Sequence, residues 1–236
     1  MAPTLSVVLP AFNEAANISE SIRRGASALL RLMHEGTLSD WEIVVVDDGS
    51  SDETVSIARS VEEPRLKIVM HAQNRGYGAA LRSGFAAAQN DLVFFTDADL
   101  QFDFEELERL IPHIERYDIV AGVRQQRQDP WVRRANAAAW GMALYGAFGL
   151  EVDDVNCAFK LFRANVLQGI EISSDGAFVN AEILLKAAQR GFSMIQVPVS
   201  HFPRSAGDQT GADPKVVLRA LRELARFYRQ RQDGIA

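Results

Sequence analysis

Four short runs of β-branched and apolar residues set the frame: LSVVLP (Leu5 to Pro10), EIVVV (Glu42 to Val46), LKIVM (Leu66 to Met70) and LVFFT (Leu92 to Thr96). Runs this short and this apolar, each followed by polar or glycine-containing residues, read as buried strands. Between them Ile18, Ile22, Leu29, Leu30 and Met33, then Val55 and Ile57, then Leu81 and Phe85 recur at helical spacing. Strand and helix in alternation admit few folds. Right-handed crossovers lay the strands side by side in a mostly parallel sheet with helices on both faces. The expectation is therefore an α/β domain, and in such sheets ligands bind beyond the C-terminal ends of the strands.

The residues at those ends are polar and acidic. Phe12-Asn13-Glu14 follows the first strand, Asp47-Asp48-Gly49-Ser50 the second, Asn74-Arg75-Gly76 the third, and DADLQFD the fourth. In an extended backbone Asp97, Asp99 and Gln101 would project to one face. Two carboxylates held that close raise one another's pKa unless a cation lies between them. Mg²⁺ or Mn²⁺ suits such a set, because hard cations take few carboxylates and complete their shell with water and phosphate oxygens. Helix capping does not require these acids: Asp103 with Glu106 caps the expected helix FEELERLIPHIERY, and Ser50 with Glu53 forms a capping box without Asp47 or Asp48. An Asp at 47 or 48, or Glu14, can instead accept hydrogen bonds from a nucleobase or ribose. RGYGAALRSG (Arg75 to Gly84) is not a dinucleotide fingerprint, since Leu81 takes the place of its third glycine and the segment follows the third strand. No phosphate loop of the Gly-Lys-Ser/Thr kind occurs.

DIVAGVR reads as a further strand. After it come Arg124, Arg127, Arg133 and Arg134, then a stretch rich in Ala, Gly, Trp140, Met142, Leu144, Tyr145 and Phe148, suited to a core helix or to a helix at a membrane surface. DVNCAFKLFR reads as turn then strand, FVNAEILLKAAQRG as a helix ending at Gly191, and FSMIQVPV as a strand. Residues 204–214 form a polar loop of lid character bracketed by Arg204 and Lys215. Residues 215–231 form a basic amphipathic helix, with Val217, Leu221, Leu224 and Tyr228 on one face and Lys215, Arg219, Arg222, Arg226 and Arg229 on the other. A net charge of −6 argues against nucleic acid as a partner. The lone Cys157 excludes an internal disulfide. The N-terminus has neither a charged lead nor a long apolar run, and no window reaches the roughly 20 apolar residues of a membrane span. A cytoplasmic protein with only peripheral membrane contact is expected.

Taken together, VVLPAFNEAANI, EIVVVDDGSSDET, NRGYGAALRSGF, FFTDADLQFD, VAGVR, DVNCAFKLFR and PVSHFPRSAG resemble the family 2 glycosyltransferases, and within them the polyprenyl-phosphate, dolichol-phosphate-mannose-synthase-like sugar transferases. The resemblance implies a single GT-A type, Rossmann-like domain. Residues 1–123 would form the nucleotide-sugar and metal half and residues 124–203 the acceptor half. It implies Asp97, Asp99 and Gln101 as holders of Mg²⁺ or Mn²⁺, with Asp99 and Arg204 catalytic. The nucleotide-sugar cradle would comprise Pro10, Phe12, Glu14, Asp47, Asp48, Asn74, Gly76, Asp97, Ala98 and Lys215, and the acceptor phosphate would meet Arg124, Arg127, Arg133 and Arg134. The implied reaction is inverting transfer of a hexose, mannose or glucose, from GDP-mannose or UDP-glucose to a polyprenyl phosphate at the cytoplasmic membrane face. A hydroxyl acceptor would need a base, for which Asp153, Asp154 and Glu182 are available. A non-catalytic nucleotide-sugar-binding module is the reading from another class. Two departures stand out: Cys157-Ala158-Phe159-Lys160 replaces the usual Ser-Gly-Phe-Arg, and GDQTGADPK is longer than the usual Gly-x-Ser-Lys.

Overall fold

The computed structural model describes residues 2–125, 131–204 and 214–232, with side chains omitted for 131–138, 214–217 and 230–232. The strands are β1 (Thr4–Ala11), β2 (Asp40–Asp47), β3 (Leu66–Met70), β4 (Leu92–Thr96), β5 (Ile119–Gln125), β6 (Phe159–Arg163) and β7 (Met194–Ser200). The helices are α1 (Ile18–His34), α2 (Thr54–Ser60), α3 (Tyr77–Ala87), α4 (Leu107–Leu110), α5 (Trp131–Phe148), α6 (Ala164–Gln168), α7 (Val179–Gln189) and α8 (Pro214–Gln232). The strands join in one sheet of order β3-β2-β1-β4-β6-β5-β7.

Pairing is parallel from β3 through β4, while β6 runs antiparallel to both β4 and β5, and β5 pairs parallel with β7. Two antiparallel steps restore the original direction, so β5 and β7 also end on the edge where β1 to β4 end. The chain steps outward from β1 to β2 to β3 and then returns to the other side of β1 as β4. Strand order therefore reverses between β1 and β4, and a crevice is expected at that point. Every residue of β4 and nearly all of β1 and β2 is buried, as both faces of the central sheet are covered. Phe94 meets Phe159 edge-on at 4.6 Å, sealing β4 to the antiparallel β6.

Four expectations are corrected. FEELERLIPHIERY is not one helix: α4 is flanked by 3₁₀ turns at Phe104–Glu106 and Ile111–Glu115, because Pro112 has no N–H and crowds the preceding turn. Asp103 does cap the first turn, accepting from the Glu105 N–H, but Glu106 accepts from the Ser200 N–H and hydroxyl instead of completing a capping box. No Ser50–Glu53 box forms either, since the Ser50 hydroxyl accepts from the Asn13 N–H and Asp52 receives the Thr54 N–H. On α8 the face that packs carries Ala220, Glu223, Leu224 and the buried Phe227, leaving Leu221 and Tyr228 exposed. Phe227 lies against Phe148 and Phe178, and this contact rotates the helix.

Candidate active site

The turns after β1 and β2 are stapled together. Asn13 adopts φ +55, a left-handed conformation that Asn tolerates, and its amide oxygen accepts from the Ser51 N–H at 2.9 Å. Gly49, at φ +73, lies so close to the next loop that a Cβ would fall 2.4 Å from the Gln73 carbonyl carbon. Both oxygens of the Asp48 carboxylate are engaged. One oxygen faces His71 Nδ1 at 2.6 Å and accepts from the Arg75 N–H at 2.9 Å, while the other accepts from the Gly76 N–H at 2.8 Å. Asp48 thus shapes the loop that leads into α3. Its neighbour Asp47 differs: Oδ2 accepts from the Ser50 N–H, whereas the buried Oδ1 has no partner among the described residues. An unpaired buried acceptor is costly, and a ligand N–H or hydroxyl would satisfy it.

Across the crevice, β4 ends in Thr96 and the chain turns. Leu100 is forced to φ +62, so the alternation expected for Asp97, Asp99 and Gln101 does not hold. Asp97 and Asp99 remain at the crevice, and the Gln101 amide nitrogen donates to the Phe202 carbonyl at 3.1 Å. That bond ties the acidic turn to the segment following β7. Asp97 accepts from the Tyr77 hydroxyl at 2.9 Å. Burial, reinforced by the charge of Asp99 and opposed by the Tyr77 hydrogen bond, pushes its pKa up to about 7. Burial also raises Asp99, against the Gln101 N–H and the Arg204 charge. Arg204 bridges the two sides of the crevice: one guanidinium nitrogen contacts Glu14, and the other lies 3.6 Å from Asp99. Glu14 is buried and also accepts from the Asn17 amide at 2.7 Å.

Among the described residues no three His, Cys, Asp or Glu side chains gather as a self-sufficient metal cage. The pair Asp97 and Asp99 nonetheless fits a Mg²⁺ or Mn²⁺ site. Both carboxylates are driven toward protonation by burial, and a divalent cation needs only one or two of them when phosphate oxygens and water supply the rest.

Pro10 and Ala98 are buried, Phe12 and Asn74 are exposed, and Gly76 precedes α3. Arg124, at the end of β5, is clamped by Asp154 through bonds of 2.7 and 2.8 Å. Glu182 is fully buried and accepts from Ser173, Ser174 and Lys186. Asp153 is exposed. Arg127 and lid residues 205–213 lie outside the described residues, as do the side chains of Arg133, Arg134 and Lys215. Sequence reasoning missed Tyr77 and His71. Tyr77 lies inside the NRGYG stretch, from which only Asn74 and Gly76 are expected at the site, and His71 directly follows β3.

The fold has solved counterparts. Glucosyl-3-phosphoglycerate synthase from Mycobacterium tuberculosis, in complex with Mn²⁺ and UDP-glucose, superimposes with a TM-score of 0.73 at 21% identity, covering 99% of this chain and 80% of that one. Mannosyl-3-phosphoglycerate synthase from Rubrobacter xylanophilus gives 0.72 at 18% identity, covering 99% and 76%. The fold is that of the GT-A glycosyltransferases. Residues 6–170 match the glycosyl transferase family 2 model, and the chain belongs to that family. It is 35% identical over 209 residues to an undecaprenyl-phosphate 4-deoxy-4-formamido-L-arabinose transferase from Enterobacter sp. (strain 638), and 32% identical over 212 residues to one from Pseudomonas fluorescens (strain Pf0-1). These matches cover 86% of this chain but only 61% and 59% of the relatives' length.

Proposed function

We propose that the chain transfers a sugar, a hexose such as mannose or glucose, from a nucleoside diphosphate donor such as GDP-mannose or UDP-glucose to the phosphate of a polyprenyl phosphate, inverting the anomeric centre. The observation that carries this reading is the meeting of Asp97, Asp99, Glu14 and Arg204 where strand order reverses between β1 and β4. The names of the undecaprenyl-phosphate transferases support the lipid phosphate as acceptor class.

In this mechanism Asp97 and Asp99 would hold Mg²⁺ or Mn²⁺, which would supply Lewis-acid charge to the donor diphosphate. Arg204, aimed by Glu14, adds a fixed positive charge on the same group as it departs. The free oxygen of Asp47 accepts from the nucleoside, and the exposed Phe12 ring lines its entrance. The acceptor phosphate oxygen forms the new bond to the anomeric carbon from the face opposite the diphosphate, whose bond breaks and carries away the electron pair. A phosphate monoester, with a second pKa near 6, is already largely dianionic at pH 7 and needs no base. This suits a site in which Asp154 is held by Arg124 and Glu182 by donors from Ser173, Ser174 and Lys186.

No helix among the described residues is long and apolar enough to cross a membrane. Leu218, Leu221 and Tyr228 of α8, with Met142 and Tyr145 of α5, are exposed apolar side chains beside the exposed Arg222 and Arg226. Such a face supports peripheral contact with an anionic bilayer, placed by this reading on the cytoplasmic side.

The reading is tested by incubating the protein with labelled GDP-mannose, UDP-glucose, UDP-N-acetylglucosamine and a nucleotide of 4-deoxy-4-formamido-L-arabinose, with and without polyprenyl phosphate and Mn²⁺. Label entering lipid from a hexose donor, and lost in Asp99→Ala, supports it, whereas label entering lipid only from the arabinose donor keeps the acceptor and overturns the hexose. Label passing only to a soluble hydroxyl compound, or tight binding without turnover, refutes it.

A further inference from the structure

We propose that His71 is a positioning residue for the donor nucleotide: its imidazole braces the Asp48 carboxylate against α3 and so holds Asp47 and the 74–76 backbone in place for the nucleoside. This inference rests on the donor binding at those residues, as in the function proposed above.

The loop that joins β3 to α3 is closed on one carboxylate. Its first residue is His71, whose Nδ1 lies 2.6 Å from Asp48 Oδ1. Its last two, Arg75 and Gly76, donate their N–H groups to the same side chain, at 2.9 Å on Oδ1 and 2.8 Å on Oδ2. The His71 N–H also donates to the Asp47 carbonyl at 2.9 Å, so one residue grips both aspartates, the first through backbone and the second through its ring. On the ring's far side Nε2 stands 2.8 Å from the Ser83 hydroxyl of α3. The imidazole, about 4% exposed, thus ties β2, β3 and α3 together. Gly49 completes the seat, since a Cβ there would fall 2.6 Å from the Asn74 nitrogen.

The direction of each bond follows from its partners. A carboxylate that takes backbone N–H groups on both oxygens acts as an acceptor, so the proton of the 2.6 Å contact belongs to Nδ1. Nε2 faces a hydroxyl, which gives or takes a proton and is satisfied in either case. Asp, His and Ser in this order also describe a hydrolytic triad. Here the ring is enclosed and Asp48 is shared with two backbone donors, so the contacts hold a loop in shape.

Removing the Nδ1 proton would leave Asp48 its two backbone donors but take away its side-chain donor, and with it the tie through Ser83 to α3. The groups that shift are Asp47, with its open oxygen, and the 74–76 backbone. None of these is among Asp97, Asp99 and Arg204, which meet the diphosphate in the proposed mechanism. The cost therefore falls on donor affinity and not on the transfer step.

The experiment compares two amides at position 71. Asn places its NH₂ where Nδ1 stands, and Gln reaches toward Ser83 without supplying the Asp48 donor. Binding of UDP and of GDP is measured by calorimetry in EDTA, together with Tm, and donor KM and kcat are measured with polyprenyl phosphate. For the nucleotide that the parent binds, affinity in His71→Gln should be about tenfold weaker, the size of one hydrogen bond to a charged group. Donor KM should rise in step, with kcat at saturating donor close to the parent's, and His71→Asn should recover most of the loss. Parental affinity in His71→Gln would overturn the inference, and so would a fall in kcat with donor affinity intact. Equal losses in the Asn and Gln variants would also overturn it, since a residue that merely fills space does not distinguish them. If the parent binds neither nucleotide, or Asp47→Ala binds as the parent does, it is the reading of the donor site that fails.

Discussion

The Arg204 guanidinium lies against the Glu14 carboxylate, joining the segment after β7 to the turn after β1 across 190 positions of sequence. Its other nitrogen is 3.6 Å from Asp99, so a single cation serves two acids on opposite sides of the crevice. Arg204→Ala is expected to lower kcat roughly 10²-fold or more, as for loss of a preorganised charge at a departing anion. Arg204→Lys should recover little, because a point charge cannot span both carboxylates. Steady-state kinetics with saturating donor reads this directly, and an unchanged kcat in Arg204→Ala would remove Arg204 from the machinery.

Metal removal gives a second expectation. Sugar transfer should cease in EDTA and return with Mn²⁺ or Mg²⁺. Asp99→Asn should lower kcat/KM by roughly 10²- to 10³-fold, the scale of several kcal/mol of lost charge stabilisation. Transfer that persists at full rate after chelation would contradict the assignment of Asp97 and Asp99.

Glu182 anchors the Ser173–Ser174 turn from the first turn of α7. Burial opposes its ionisation, yet hydrogen bonds from Lys186, Ser173 and Ser174 outweigh that and hold its pKa below the ordinary value. Glu182→Gln is expected to cost about 2 kcal/mol, within the range for breaking buried charged hydrogen bonds. A depressed folded pKa means the stabilisation is present above the unfolded value, about 4.3, and is lost as pH falls through the folded one. Thermal unfolding should therefore show a gap between parent and variant at pH 7 that closes below about pH 4.

Cys157 is fully buried, and burial pushes its thiol up to about 12. Iodoacetamide at pH 8 should leave the folded protein unlabelled and modify it only after denaturant is added, as mass spectrometry would show. The sign of the linkage follows: the thiol is neutral in both states at pH 7, and its contribution is lost only as pH rises from about 8.5, where the unfolded thiol ionises, toward 12.

Gly78, in the first turn of α3, donates its N–H to the Asp175 carbonyl, and a Cβ there would fall 2.1 Å from the Ser174 carbonyl oxygen. Gly78→Ala should destabilise the protein by about 1–3 kcal/mol, the usual cost of overpacking. It should also weaken donor binding, because Tyr77 is the adjacent residue. A variant with parental Tm would show that the 174–175 loop yields freely.

Much of this was legible in the chain. The strands LKIVM and LVFFT fall where the structure has them, but only LVFFT is buried throughout: LKIVM is the edge strand β3 and has no buried residue, because position in the sheet is not written in a short apolar run. The acids at the strand ends were equally plain, and so was the expectation that they share one edge. Pro112 broke a helix that hydrophobic spacing had drawn through it, since spacing registers side chains but not a missing N–H. The antiparallel β6 was not visible either, because strand direction leaves little trace in composition.

The amino-acid order alone determined where the strands lie and that Asp97 and Asp99 stand together beyond β4, because these depend on periodicity and neighbours within a few residues. Only the tertiary structure decided which polar groups are spoken for. It showed that Asp48 is consumed by the loop before α3 while Asp47 keeps an open oxygen, that Arg124 belongs to Asp154, that Gln101 turns to Phe202, and that Arg204 reaches Glu14. The reason is physical: a buried polar group must find a partner wherever the packed chain brings one, and that partner is set by contacts made far along the sequence.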